Sequence, residues 1–343
     1  MSRAPQTPLR VLFVGGSGHI GQRWLATAPA QEFDTLSAFR RAAPGQARAL
    51  ALDVRDARQA RRAVQGMDAV INGAAGSRDA IAEGTAHLCE AALQEGVRLV
   101  HLSTQSVYGP FEGWVQESMP LDPRQGWYGQ AKCEAETAVR RFARQGGQAV
   151  ILRPGCVGGP GSALWVGRIA GWLRSGRLGD LGAAGDGWSN LAHVDDVCCA
   201  LRQALSLPLR AGELPTFNLA APDSPRWNDY FMDLALALRA TPVARLSARR
   251  LWLDSHLLSP PLQAAQRLGQ RLGLASRAWP QALPPGLARL WSQQIRLDSS
   301  AATAALGLRW TPYARLLDAS VRWLLHSGPG APARSDLEAK LRP

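Results

Sequence analysis

Two side chains able to move a proton stand four residues apart in WYGQAKCEAE, residues 127 to 136: Tyr128 and Lys132. On a helix that spacing places them on one face, one above the other. The lysine is conspicuous, because the chain holds only Lys132 and Lys340 against 37 arginines. A tyrosine with its ordinary pKa of about 10 is a poor base at neutral pH. A neighbouring ammonium favours the phenolate and lowers that value. A compact ammonium with three donors also suits ribose hydroxyls, which the planar fork of arginine does not. Upstream, LVHLSTQSVYG reads as a buried strand ending in hydroxyls, from which Thr104 can hydrogen-bond a substrate oxygen. Together the three residues describe proton exchange at a hydroxyl or carbonyl group.

A second group of residues binds rather than reacts. In VLFVGGSGHIGQRW, Gly15, Gly16, Gly18 and Gly21 lie between a predicted strand and a predicted helix and match G-x-G-x-x-G from Gly16. A pyrophosphate needs such a glycine-walled turn for close backbone approach and a helix N-terminus to meet its charge. The second strand ends in LSAFRRA, where Arg40 and Arg41 stand in place of the carboxylate that holds the ribose hydroxyls in NAD enzymes. Arginine there suits a 2′-phosphate, so the residues favour NADP over NAD. Asp53, in ALDVRD, is placed to reach an adenine amino group.

The elements that must position these residues alternate in the first half of the chain, which predicts βαβ units and a parallel sheet. Strands are predicted at Leu9 to Val14, Thr35 to Phe39, Ala49 to Leu52, Ala69 to Asn72, Val97 to Ser103 and Ala149 to Leu152. Helices are predicted at His19 to Ala28, Ala57 to Gln65, Asp79 to Gln94 and Tyr128 to Arg144. The fold class is α/β, a Rossmann-type doubly wound parallel sheet with a smaller C-terminal lobe. We place the dinucleotide-binding domain at 1–160 and the substrate lobe mostly at 161–326, with segments near 190–220 returning to the first domain. The stretch 327–343 is read as a tail. From Ala244 to Leu297 the chain reads as helices broken by SPP and LPPG.

Composition narrows the function classes. The formal charge of +12 comes from arginines scattered at helix-surface spacing, without a run of five or six. With no zinc spacing and no aromatic-interleaved RNA motif either, nucleic acid is not expected as a partner. The basic, apolar stretch ARLSARRLWLDSHLL is read as a lid or outer helix of the lobe in preference to a membrane-surface contact. Five cysteines without CxxC or disulfide-framework spacing, a short first apolar run and no 18-residue apolar stretch point to the cytoplasm.

The ordered segments GGSGHIG, LDVRD, VINGAAG, LSTQSVYG, YGQAK, LRPG, NLAHVDDV, FNLA and LGLRWTPY resemble the extended short-chain dehydrogenase/reductase family, also called the NAD-dependent epimerase/dehydratase family. The resemblance implies that Thr104, Tyr128 and Lys132 form the catalytic set. It implies a cofactor site made by the glycine turn with His19 and Ile20, by Arg40, Asp53 and Val54, by Ala74 and Ala75, and by Lys132. Hydride then passes between the substrate carbon and a nicotinamide while Tyr128 exchanges the proton. A homodimer through the helix carrying Tyr128 is expected by the same resemblance.

Departures from the family pattern shape the expected chemistry. Gln105 and Ser106 follow Thr104 where 4,6-dehydratases carry Asp-Glu, which argues against dehydration. Ser189 replaces an arginine found in sugar-nucleotide epimerases, and two further polar anchors are missing. Trp114, Trp127, Trp165, Trp172 and Trp188 fall in segments that border the substrate cleft in the family, which suits an apolar ketone or alcohol. His193, Asp195 and Asp196 are read as structural, with a carboxylate capping the next helix, and no metal site is assigned. Cys198 and Cys199 are read as packing residues. The reading is an NAD(P)-dependent oxidoreductase acting on a small-molecule substrate. A redox-neutral sugar or nucleotide-sugar epimerase and a non-catalytic NADP(H)-binding sensor or assembly protein stay open beside it.

Overall fold

A computed structural model describes residues 7–40, 48–122, 124, 126–271 and 283–326. Among them the strands are β1 (Leu9–Val14), β2 (Phe33–Phe39), β3 (Ala49–Ala51), β4 (Ala69–Asn72), β5 (Arg98–Leu102), β6 (Gly113–Val115), β7 (Ala149–Pro154), β8 (Cys156–Gly158), β9 (Leu191–His193), β10 (Thr216–Leu219) and β11 (Ile295–Leu297). The helices over the sheet are α1 (His19–Thr27), α2 (Ala57–Val64), α3 (Arg78–Glu95) and α4 (Trp127–Arg144). Later come α5 (Ile169–Arg174), α6 (Val194–Ser206), α7 (Trp227–Ala237), α8 (Ala248–Leu253), α9 (Ser259–Arg271), α10 (Pro285–Trp291), α11 (Ser300–Leu306) and α12 (Tyr313–His326). The predicted early elements are present within about two residues at each end.

Seven strands form one parallel sheet in the order β10-β7-β5-β4-β1-β2-β3. Its strands read as unbroken apolar runs because both faces are covered. Val11 and Phe13 of β1 point into the layer with α1, α6 and α11, while Leu12 and Val14 point into the layer with α2, α3 and α4. The chain reverses direction of travel across the sheet at β1, so a crevice opens beyond the carboxyl ends of β1 and β4. Register keeps those ends level: Val14 pairs with Asn72, Asn72 with His101, and Leu102 with Leu152. Four loops therefore leave the sheet at one edge.

The lobe has its own core, dominated by aromatic rings. Trp172, Trp227, Trp291 and Phe231 are almost fully buried, and Phe231 meets Trp291 edge-on with centroids 5.2 Å apart. Two short parallel pairs, β11 with β6 and β8 with β9, join the lobe to the main sheet, and their partners lie too far apart in sequence for β6, β8, β9 and β11 to have been predicted. SPP does not end the helical path as expected: the π-helical turn Asp254–Leu258 runs directly into α9, which Ser259, Pro260 and Pro261 open. α8 and the turn Asp254–Leu258 form an outer element, inserting Leu251 and Ser255 and leaving Trp252, Leu253, Leu257 and Leu258 exposed. The stretch 327–343, read from the sequence as a tail, lies outside the described residues, as does Arg41. No helix among the described residues is long and apolar enough to cross a membrane.

Candidate active site

The crevice is a cavity of about 960 Å³. Gly15, Gly18, His19, Ile20 and Gly21 line it from the β1–α1 turn, and Gly73, Ala74 and Ala75 from the end of β4. Leu102 to Ser106 enter from the end of β5, Pro154 to Val157 from β7 and β8, and Tyr128, Gly129 and Lys132 from α4. The lobe contributes Leu164, Trp165, Arg168 and residues of α10. Thr104, Tyr128 and Lys132 thus share one cavity with most of the glycine turn.

That turn closes only because side chains are absent. Gly15 has φ +87°, and a Cβ there would lie 2.4 Å from the Gly73 carbonyl oxygen. A Cβ on Gly16 would lie 1.8 Å from Ser37 Oγ, so Gly16 serves the packing beneath the turn and does not line the cavity. Gly18 caps α1 without a side-chain bond, leaving the first N–H groups of the helix free to meet an anion at the cavity floor. These features fit a dinucleotide pyrophosphate. His19 donates its Nε2–H to the Pro160 carbonyl oxygen, 2.9 Å away, and burial lowers its pKa.

Lys132 is 3% exposed and donates to the carbonyl oxygens of Leu102 at 2.7 Å and Ala74 at 3.3 Å. Burial pushes its pKa down to about 8, opposed by the negative charge of Glu136 one turn further along α4. Two of its three donors are spent on backbone, which leaves one for a ligand hydroxyl. Tyr128 is 37% exposed as a residue, yet its hydroxyl end is crowded by the cavity wall. That desolvation raises its pKa, and a hydrogen bond with Thr104 works in the opposite direction. The expected lowering by a neighbouring ammonium is therefore not what this structure shows, because the ammonium is drawn toward the two carbonyls. The Thr104 hydroxyl caps the 3₁₀ turn Gln105–Tyr108, accepting from the Ser106 amide at 3.3 Å.

Beneath this layer lies a buried ionic network. Glu136 accepts Ser103 Oγ at 2.6 Å and both Nε and Nη2 of Arg153, at 2.8 and 2.7 Å. Arg153 also donates to Tyr108 Oη at 2.7 Å, and Tyr108 to Asn218 at 2.6 Å. The network fixes α4 against the end of β5, and so sets Tyr128 relative to Thr104. Sequence reading missed Glu136 and Arg153. Their one signal was the i, i+4 step from Lys132 to Glu136.

Arg40, Asp53 and Val54 do not line the cavity. Arg40 is exposed at the end of β2 and helps stabilise the Asp53 carboxylate. Arg55 does so more strongly, pairing with Asp53 at 2.5 Å and holding its pKa down to about 2. Val54 is buried against α3, where a Cβ on Gly84 would meet it. Of the five tryptophans singled out, only Trp165 lines the cavity. Trp172 is buried in the lobe core, Trp127 is exposed beside Tyr128, and Trp188 and Trp114 sandwich the Arg296 guanidinium at 4.1 and 4.2 Å. Nor does a carboxylate cap α6: His193 Nδ1 accepts from the Asp195 amide at 3.1 Å, while Asp195 pairs with Arg23 and Asp196 accepts from Thr311. Cys198 packs in the sheet core and Cys199 is half-buried. Among the described residues no group of three or more His, Cys, Asp or Glu could hold a metal ion.

A family model for the NAD dependent epimerase/dehydratase family matches residues 11–220. The chain belongs to that family. Relatives in it include a 2-alkyl-3-oxoalkanoate reductase of Stenotrophomonas maltophilia (strain K279a), 29% identical over 214 residues, a match spanning 56% of this chain and 64% of that protein. A dTDP-glucose 4,6-dehydratase of Mycobacterium tuberculosis (strain CDC 1551 / Oshkosh) is 29% identical over 228 residues, covering 57% of this chain and 69% of the relative. Among solved structures, MoeE5 in complex with UDP-glucuronic acid and NAD superposes with a TM-score of 0.70 at 21% identity, covering 93% of this chain and 99% of that one. At that identity the likeness is one of fold, and it includes the seven-stranded sheet and the smaller C-terminal region.

Proposed function

We propose that this member of the epimerase/dehydratase family is an NAD(P)-dependent oxidoreductase that interconverts a hydroxyl and a carbonyl group. The observation that carries the reading is the meeting of Thr104, Tyr128 and Lys132 with the glycine turn and the free N-terminus of α1 in one cavity. Gly15, Gly18, His19, Ile20 and Gly21 would hold the pyrophosphate, with Ala74 and Ala75 along the channel and the remaining Lys132 donor on a ribose hydroxyl. A nicotinamide dinucleotide bound there supplies the hydride acceptor or donor. Tyr128 exchanges the proton of the substrate oxygen and Thr104 orients that oxygen. Gln105 argues against dehydration, because it is held by Asn190 at 2.8 Å and offers an amide where a 4,6-dehydratase needs a carboxylic acid. The absence of a carboxylate at the end of β2, with Arg40 in its place, supports NADP in preference to NAD. The extent of the two domains and the homodimer remain as proposed from the sequence.

The test is to denature the purified protein, identify any nucleotide it releases, and titrate the emptied protein with NADPH and NADH. An empty protein that binds NADPH more tightly, and loses that preference as Arg40→Asp, supports the proposal. Stoichiometric, tightly held NAD would instead indicate a redox-neutral epimerase. Tyr128→Phe should keep dinucleotide binding and lower turnover by about 10² or more; retention of full cellular activity would point to a binding protein without catalysis.

A further inference from the structure

The described residues that line the cavity include the cations Lys132, Arg168 and Arg289 and no Asp or Glu. Arg168, at the end of the π-helical turn Ala163–Arg168, is half-buried, and among the described residues its guanidinium makes no hydrogen bond or ion pair. Burial lowers its pKa, with no carboxylate to offset the desolvation. Other sheltered guanidiniums are answered: Arg153 by Glu136, Arg23 by Asp195, and Arg98 by the carbonyls of Ala204 and Leu205. A desolvated, unpaired guanidinium facing a cavity is costly unless a ligand completes it, and its planar fork matches a carboxylate bidentately.

The dinucleotide does not account for Arg168. Its pyrophosphate belongs to the backbone at α1, and Lys132 is engaged at the ribose position. On the lobe side the cavity walls are apolar, with Leu164, Trp165, Leu287 and Leu290. Such walls suit a hydrocarbon body and offer little to the hydroxyls of a sugar. Resting on the oxidoreductase reading above, we infer that the substrate is a hydroxy or oxo acid with an apolar body, its carboxylate held by Arg168 with Arg289 at the exposed mouth. In the oxidative direction the carbinol C–H bond breaks with hydride passing to the oxidised nicotinamide, and the hydroxyl proton goes to Tyr128 in its phenolate form, which becomes the neutral phenol. The products are the oxo acid and the reduced dinucleotide.

Binding and turnover test this separately. With the full chain saturated in oxidised dinucleotide, octanoate should bind about tenfold or more tightly than octanamide, the gain expected of a charge-assisted pair. Arg168→Gln should erase that preference and leave dinucleotide affinity within about twofold, and Arg168→Lys should restore part of it. In kcat/KM, 3-hydroxyoctanoate should exceed its methyl ester by a similar factor. Equal binding of octanoate and octanamide, or a preference that survives Arg168→Gln, overturns the inference. So does UDP-glucose binding that is lost in Arg168→Gln while octanoate fails to compete, which would give Arg168 to a diphosphate. Equal turnover of acid and ester overturns the carboxylate site but leaves the oxidoreductase standing. Arg168-dependent octanoate binding without oxidation of any hydroxy acid supports the site and counts against the oxidoreductase.

Discussion

Lys132 should make the stability of this protein rise with pH over an unusual window. Its amine is 3% exposed, and its pKa falls from 10.5 to about 8 on folding, chiefly by burial. The unfolded chain then binds this proton more tightly than the folded one. Below pH 8 both states carry it and the native state bears the full penalty. Between pH 8 and 10.5 only the unfolded state carries it, so stability climbs; above 10.5 neither does and the penalty is gone. At about 1.4 kcal/mol per unit the effect amounts to roughly 3 kcal/mol. The assay is urea denaturation of the wild type and Lys132→Met at half-unit steps from pH 7 to 10.5. Other titrating groups are common to both proteins, so the difference isolates Lys132. The wild type should gain about 3 kcal/mol on the variant across the window. A level difference would mean an amine that titrates as in water, and the buried position bonded to Leu102 and Ala74 would be refuted.

Glu136→Gln strands the Arg153 guanidinium, which is buried and bidentate on Glu136, and should cost about 3–5 kcal/mol by urea denaturation. Pairing it with Arg153→Met should recover part of that loss, and a single-variant cost under about 1 kcal/mol would deny the network its role. Gly15→Ala combines a φ of +87° with a Cβ 2.4 Å from a backbone oxygen. It should weaken dinucleotide binding and lower stability by about 1–3 kcal/mol, and an unchanged melting temperature and Kd would count against the tight turn. Cys89, Cys133 and Cys156 should resist iodoacetamide at pH 8, since burial pushes the first two thiols up to about 12 and about 11 and the third higher still. Mass spectrometry of the native protein should find labelling at the half-buried Cys199 first, and rapid labelling of Cys156 would show that the cleft opens more widely than this.

Local chemistry made much of this protein legible in its sequence. The glycine turn, the helix after it and the i, i+4 placement of Tyr128 and Lys132 depend on φ/ψ limits and helical periodicity, which a few neighbouring residues set. Apolar runs bounded by turn residues marked the parallel strands, because both faces of the sheet are buried. The tertiary structure decided what depends on distant partners. Lys132 meets carbonyls 30 and 58 residues away, which is why its ammonium does not depress Tyr128. The five tryptophans divide among a lobe core, one arginine sandwich, an exposed position beside Tyr128 and one cavity wall, a sorting no local pattern encodes. Arg168 is one of 37 arginines in the sequence. Only the folded chain shows it facing a cavity whose described walls hold no carboxylate, because charge pairing is settled by the neighbours that folding supplies.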